Sequence, residues 1–164
     1  MTRPADATPS AAMLSAIIPT LNSEEDLQVL LAALVPAAVD GLVREVICAD
    51  GGSIDATAVL CEDAGAKLIS GGLVAAARSA RNERLLILPA DLRLAPGWEE
   101  GLGRKLGDLK GAVRIEGARP TGLLMGLRAP PCGLVVDRAR LIDRAETRDA
   151  SALIKALGIG AKRA

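Results

Sequence analysis

The sequence predicts an α/β domain built as a three-layer αβα sandwich around a mostly parallel sheet. Three observations carry this. Short apolar runs, each too brief for a helix, recur along the chain and end in polar turns. Between them lie segments whose apolar residues have helical spacing. The two kinds alternate, which implies parallel pairing through right-handed crossovers. With 164 residues, half of them hydrophobic, the chain has material for one core. Residues 13–164 are expected to form a single compact domain behind a flexible start at 1–12, with no internal repeat and no linker.

The elements follow in order. Leu14-Ser-Ala-Ile-Ile18, ended by Pro19, is the first strand, because it is short, rich in Ile and apolar on both faces. After the turn Thr20-Leu21-Asn22, Ser23 is placed to cap a helix. Glu24, Glu25 and Asp26 fill its first turn, where carboxylates suit the helix dipole. Leu27, Leu30, Leu31 and Leu34 give this helix one apolar stripe, and Pro36 and Gly41 close the unit. Val46 to Ala49 is the second strand, ending at Asp50 in a glycine turn; Asp55 is placed to cap a helix running to Gly65. Lys67 to Ile69 is a brief third strand, followed by Gly71-Gly72 and a helix over Leu73 to Asn82. Arg84 to Leu88 is the fourth strand, stopped by Pro89, and Pro96-Gly97 opens a helix to about Leu106. Ala112 to Ile115 and Leu134 to Val136 read as strands, and Ala150 to Leu157 as a last helix ended by Gly158.

Composition narrows the chemistry. Lys plus Arg and Asp plus Glu number 20 each, so no net field draws in nucleic acid or an anionic membrane, and an anion must be held by local geometry. Trp98 is the only aromatic residue, so the core is made of Leu, Ile, Val and Ala. There is no His, which leaves carboxylates for any acid, base or metal role and favours hard, oxygen-seeking cations over zinc. Cys48, Cys61 and Cys132 are widely spaced and odd in number, as expected of buried free thiols in a reducing cytoplasm. The start has no secretory pattern and no run is long enough to span a membrane, so a cytoplasmic protein is expected.

In open parallel sheets ligands bind beyond the carboxyl ends of the strands. Three polar segments fall there: Pro19 to Asn22, Asp50 to Ser53, and Pro89 to Asp91. An aspartate at a strand end can accept hydrogen bonds from a base or ribose, and adjacent glycines admit a ligand close to the backbone. The same residues also suit a plain turn followed by a capped helix. There is no Gly-Lys-Ser/Thr loop and no G-x-G-x-x-G, which argues against P-loop and dinucleotide chemistry. Arg78, Arg81 and Arg84, spaced by three, would line a solvated basic edge if they all lay on a helix.

In order and spacing, Ile17-Ile-Pro-Thr-Leu-Asn-Ser-Glu24, Ala49-Asp-Gly-Gly-Ser-Ile-Asp-Ala-Thr57 and Leu88-Pro-Ala-Asp-Leu-Arg-Leu-Ala-Pro-Gly-Trp98 resemble family 2 glycosyltransferases. The resemblance covers roughly Leu14 to Leu106, and a bacterial branch with His-Ala-Asp in the third segment is the nearest variant. It implies a GT-A-type fold and transfer of a sugar from a nucleotide-diphosphate donor, by default uridine-linked, to an acceptor hydroxyl. It places Pro19, Thr20, Asn22, Glu24, Asp50, Gly51 and Ser53 on the nucleotide and Asp91 on Mn²⁺ or Mg²⁺. Pro89 stands where the family has the first acid of its metal motif. Arg148-Asp149 resembles the family's Glu-Asp pair, which makes Asp149 the candidate base; the same residue is placed to cap the last helix. Ala80-Arg-Asn82 matches a family segment that is otherwise shortened here. The alternative is a noncatalytic nucleotide- or ligand-binding domain that kept this fold.

Overall fold

A computed structural model describes residues 13–106, 112–117, 132–145 and 162–163. Among them the order is β1 (Leu14–Thr20), α1 (Glu24–Val39), β2 (Val43–Asp50), α2 (Thr57–Asp63), β3 (Lys67–Ser70), α3 (Gly72–Ser79), β4 (Arg84–Ile87), α4 (Trp98–Leu106), β5 (Val113–Glu116), β6 (Cys132–Asp137), α5 (Arg138–Ala145) and β7 (Lys162–Arg163). The strands form one sheet in the order β3-β2-β1-β4-β6-β5-β7. β3, β2, β1 and β4 are parallel; β6 runs antiparallel to β4 and to β5, and β7 is parallel to β5. The fold is therefore the predicted α/β type, with the parallel part where strands and helices alternate.

Alternation along β1 builds the three layers. Leu14, Ala16 and Ile18 face one side with Leu27, Leu30, Leu34 and Ala37 of α1, Cys61 of α2, and Leu102 and Leu106 of α4. Ile17 faces the other with Leu73, Ala76 and Ala77 of α3 and Leu141 of α5. A strand covered on both faces needs apolar residues at successive positions, which is why Leu14 to Ile18 lacks a polar alternation.

Several boundaries differ from the expected ones. β1 extends through Pro19 and Thr20. Ile17 accepts the Leu88 N–H at 3.0 Å, so odd positions of β1 turn their backbone groups toward β4. Pro19 faces the same way, beyond the last β4 pairing at Ile87, where no ladder bond is lost. Pro36 does not close α1, which continues one more turn to Val39. Proline costs only its own N–H bond, Ala37 is anchored in the core, and the Asp40 N–H reaches the Pro36 carbonyl at 2.9 Å. Gly41, at φ +78°, supplies the left-handed stop.

α3 ends at Ser79 rather than Asn82, because tertiary hydrogen bonds hold the next residues extended. The Arg81 N–H donates to Glu45, the Asn82 side chain donates to the buried Ser15 hydroxyl at 3.0 Å, and Arg138 donates to the Ala80 carbonyl. Arg78 therefore lies on a helix, Arg81 in a link and Arg84 on a strand, so the three do not form a helical basic edge. α5 and β7 were not anticipated. The expected helix at Ala150 to Leu157 and the flexible start at 1–12 fall outside the described residues. Cys48 and Cys61 are buried free thiols as expected, whereas Cys132 is half-buried.

Candidate functional site

The chain leaves β1 toward β2 and β3, then returns to the other side of β1 to form β4. The β1/β4 boundary is thus a topological switch point, where loops at the carboxyl ends diverge and leave a crevice. The segment after β1 and the segment after β4 flank it, and the β2 loop lies beside them.

Asp50 organises this edge. It ends β2 directly opposite Thr20 in the register and is only 9% exposed. One carboxylate oxygen accepts the Thr20 hydroxyl at 3.1 Å and the Ser53 hydroxyl at 2.5 Å; the other accepts the Gly52 and Ser53 N–H groups at 3.2 and 3.0 Å. Burial pushes the pKa up, but the Ser53 bonds and those from Thr20 and Gly52 outweigh it, leaving it below the ordinary aspartate value. Asp50 is thus held as a carboxylate with its acceptor capacity largely committed within the protein.

The β1 and β2 loops are bonded into one unit. Asn22, in the left-handed region at φ +47°, donates its N–H to the Ser53 hydroxyl at 2.9 Å and accepts the Ile54 N–H at 2.8 Å. Ser23 occupies the N-cap position of α1 but its side chain does not cap; its hydroxyl bonds back to Leu21. The capping comes from across the loop. Asp55 accepts the Glu24 N–H at 3.2 Å with one oxygen and the Thr57 N–H at 3.0 Å with the other. It therefore satisfies the first turns of both α1 and α2, more than the single cap expected. The Thr57 hydroxyl donates to Asp55 and accepts the Ser23 N–H at 3.0 Å. That hydroxyl bond is the main cause holding the Asp55 pKa below its ordinary value. Gly51 donates its N–H to the Thr20 carbonyl at 2.8 Å, and Gly52 sits at φ +102°, which only glycine adopts without strain. Glu24 has an exposed side chain at the start of α1.

Asp91 lies after β4 at the same edge. Ala90 and Leu92 on either side are buried, so the exposed Asp91 projects outward between two core anchors. Among the described residues no group of three or more His, Cys, Asp or Glu converges as a metal cage. One hard oxygen donor suits a Mg²⁺ or Mn²⁺ ion whose other ligands come from elsewhere, and does not suit an all-protein cage. Asp149 lies outside the described residues. Arg81 and Asn82 stand before β4, at the amino end of the sheet, on the edge away from Asp50 and Asp91, so their likeness to the family segment does not bring them to this site.

The model of the glycosyl transferase family 2 matches residues 15–113, more than half of the chain. The chain belongs to this family. Solved structures agree on the fold. One is glucosyl-3-phosphoglycerate synthase from Mycobacterium tuberculosis with Mn²⁺, uridine diphosphate and glucosyl-3-phosphoglycerate: TM-score 0.63 at 19% identity, covering 99% of this chain and 75% of that one. The same enzyme without named ligands gives 0.64 at 20% identity, covering 94% and 71%. Its uridine diphosphate complex gives 0.59 at 20% identity, covering 79% of this chain and 58% of that one, so in that match this chain spans less than two thirds of the enzyme's length. Searching curated proteins finds no match. The fold is thus the GT-A type. No helix among the described residues is long and apolar enough to cross a membrane.

Sequence reasoning overlooked Asp26 and Thr57 as parts of this edge. Only their partners, Arg93 and Asp55, reveal them, and those pairs are 67 and 2 residues apart in sequence. The first pairing leaves no periodicity to read. The second is a local Asx-type contact that the Asp-x-Thr spacing could have suggested.

Proposed function

We propose that this chain is the donor-binding part of a glycosyltransferase that takes a sugar from a nucleoside-diphosphate carrier, most naturally a uridine-linked one, and passes it to an acceptor hydroxyl. The observation that carries this is the coincidence of the topological switch point with the joined Thr20–Asn22 and Asp50–Ser53 loops and the outward Asp91. Family 2 membership and neighbours that hold uridine diphosphate with Mn²⁺ or Mg²⁺ support it.

In this reading the nucleoside lies on the β1 and β2 loops. Pro19, Thr20, Asn22 and Glu24 line one side and Asp50, Gly51 and Ser53 the other. Because Asp50 is already bonded internally, its part is to fix the loop whose backbone and glycines face the ligand, and to offer negative charge to a base or ribose donor. Asp91 is the protein's ligand to a divalent ion, which when bound neutralises charge on the departing diphosphate. Asp149 is the proposed base for the acceptor.

A binding module without turnover is favoured by one observation, Pro89 in place of a first metal acid. Both readings require nucleotide binding, so the first test is a nucleotide panel read by thermal unfolding. A uridine diphosphate donor at about 100 times its Kd stabilises by about 2.7 kcal/mol, roughly 5–10 °C for a domain of this size. No shift with any nucleotide, with or without Mn²⁺, sinks the proposal. Binding without slow donor hydrolysis selects the module.

A further inference from the structure

The segment from Pro89 to Trp98 is fastened to α1. Leu92 is fully buried in the α1 core and its N–H closes a turn onto the Pro89 carbonyl at 3.0 Å. The Trp98 indole N–H donates to the Ala33 carbonyl at 3.4 Å. Between these anchors, the Arg93 guanidinium pairs with Asp26 in the first turn of α1. Its other terminal nitrogen, Nη1, is buried and has no acceptor among the described residues. Asp91, two residues before this cation, makes no ion pair among the described residues.

We infer that Asp26 is a positioning residue that keeps Arg93 off Asp91 and so leaves that carboxylate open to a divalent cation. The inference rests on the proposed role of Asp91. A guanidinium binds a carboxylate strongly and in a fork, and Arg93 directly follows the turn from Pro89 to Leu92 that carries Asp91. With Asp26 charged, Arg93 is held against α1; without it, a half-buried guanidinium lacks a counter-charge, and Asp91 is the carboxylate nearest in sequence. Cation and guanidinium then compete for the same oxygens. Asp26 thus acts without touching the ion, through the alternative partner it gives Arg93.

The test is Mn²⁺ affinity in the presence of uridine diphosphate, read by the loss of the free-ion paramagnetic resonance signal, together with uridine diphosphate affinity without metal. Asp26→Asn should weaken Mn²⁺ about 10-fold, the lower end of effects from residues behind a metal ligand, while metal-free nucleotide affinity stays the same. Asp26→Glu should keep the ion bound. The double variant Asp26→Asn with Arg93→Gln should recover the wild-type Mn²⁺ affinity, because the competitor is gone. If Asp26 served only to brace the loop, the double variant would be no better than the single one, and that result overturns the inference. So does unchanged Mn²⁺ affinity in Asp26→Asn. A wild-type chain that binds uridine diphosphate but no Mn²⁺ overturns the role of Asp91 itself and takes this inference with it.

Discussion

Asp50→Ala and Asp50→Asn separate the loop-building part of this residue from its charge. The alanine variant strands four donors: the Thr20 and Ser53 hydroxyls and the Gly52 and Ser53 N–H groups. Gly52 is exposed and Ser53 half-buried, so their N–H groups can turn to water, whereas Thr20 is 4% exposed and loses its partner outright. At about 1.5–3 kcal/mol for a bond to a charged group, discounted for the donors that rehydrate, the loss is about 2–4 kcal/mol. That corresponds to a fall in Tm of about 5–15 °C. Asparagine should be much milder. One oxygen of Asp50 meets only backbone N–H groups, which cannot reverse, and the other meets only hydroxyls, which can rotate to accept. An amide with its oxygen toward Gly52 and Ser53 therefore keeps every contact at about 1 kcal/mol for the lost charge. The pH dependence supplies a sign. The folded-state pKa lies below the ordinary 3.8, so the charge contributes stability above that value and loses it as pH falls through the folded pKa. Wild type and Asp50→Asn should differ at neutral pH and converge in acid. Thermal unfolding from pH 7 to pH 2.5 measures this. A gap that persists in acid, or an asparagine variant as unstable as the alanine one, refutes the account of Asp50.

Further outcomes follow from the same geometry. Asn22→Ala removes the side-chain half of the brace between the two loops, the acceptor for the Ile54 N–H, while the backbone bond to Ser53 can persist; it should lower uridine diphosphate affinity more than it lowers Tm, as measured by calorimetric titration. Gly52→Ala forces an L-residue to φ +102° with open space around it, so the expected cost of about 1–2 kcal/mol is backbone strain alone and is read by denaturant unfolding. Gly133→Ala puts a Cβ 2.7 Å from Leu88 Cδ2 in the core; an overpacking cost of about 1–3 kcal/mol should appear as a lowered Tm. Pro89→Asp keeps the turn, because Leu92 uses only the residue 89 carbonyl, and adds a second carboxylate two residues from Asp91. It should tighten nucleotide-dependent Mn²⁺ binding, read as stronger quenching of Trp98, while Asp91→Asn abolishes it.

The parts of the fold that were legible in the sequence are those whose causes are local. Leu14 to Ile18 is apolar at successive positions because both faces of β1 are covered, and Leu27, Leu30 and Leu34 repeat at the spacing of the α1 face that meets the sheet. The helix through Ala80 to Asn82 was misread because alanine and arginine favour helix, while the partners that hold these residues extended, Ser15, Glu45 and Arg138, lie 36 to 67 residues away in the contacts that decide it. α5 leaves little sequence signal because half of its eight residues are charged and only Leu141 is fully buried among those described.

The site shows the same division at finer scale. Which segments gather at the sheet edge could be read from the strands that precede them, since a strand's carboxyl end fixes where its loop begins. What each side chain does there could not. Ser23 has the composition of a cap and does not cap, because its hydroxyl is taken up by the N–H and carbonyl of Leu21, and it is Asp55, reaching across from the β2 loop, that accepts the Glu24 N–H. Asn22 matches a ligand-facing position by motif, yet its side-chain carbonyl accepts the Ile54 N–H and its backbone N–H donates to the Ser53 hydroxyl. A motif residue can therefore be required by the loop that presents the ligand without touching the ligand itself. For this chain, that makes Asp91, which is exposed and has no ion-pair partner among the described residues, the most direct probe of ligand chemistry, and makes Asp50 and Asn22 probes of loop integrity.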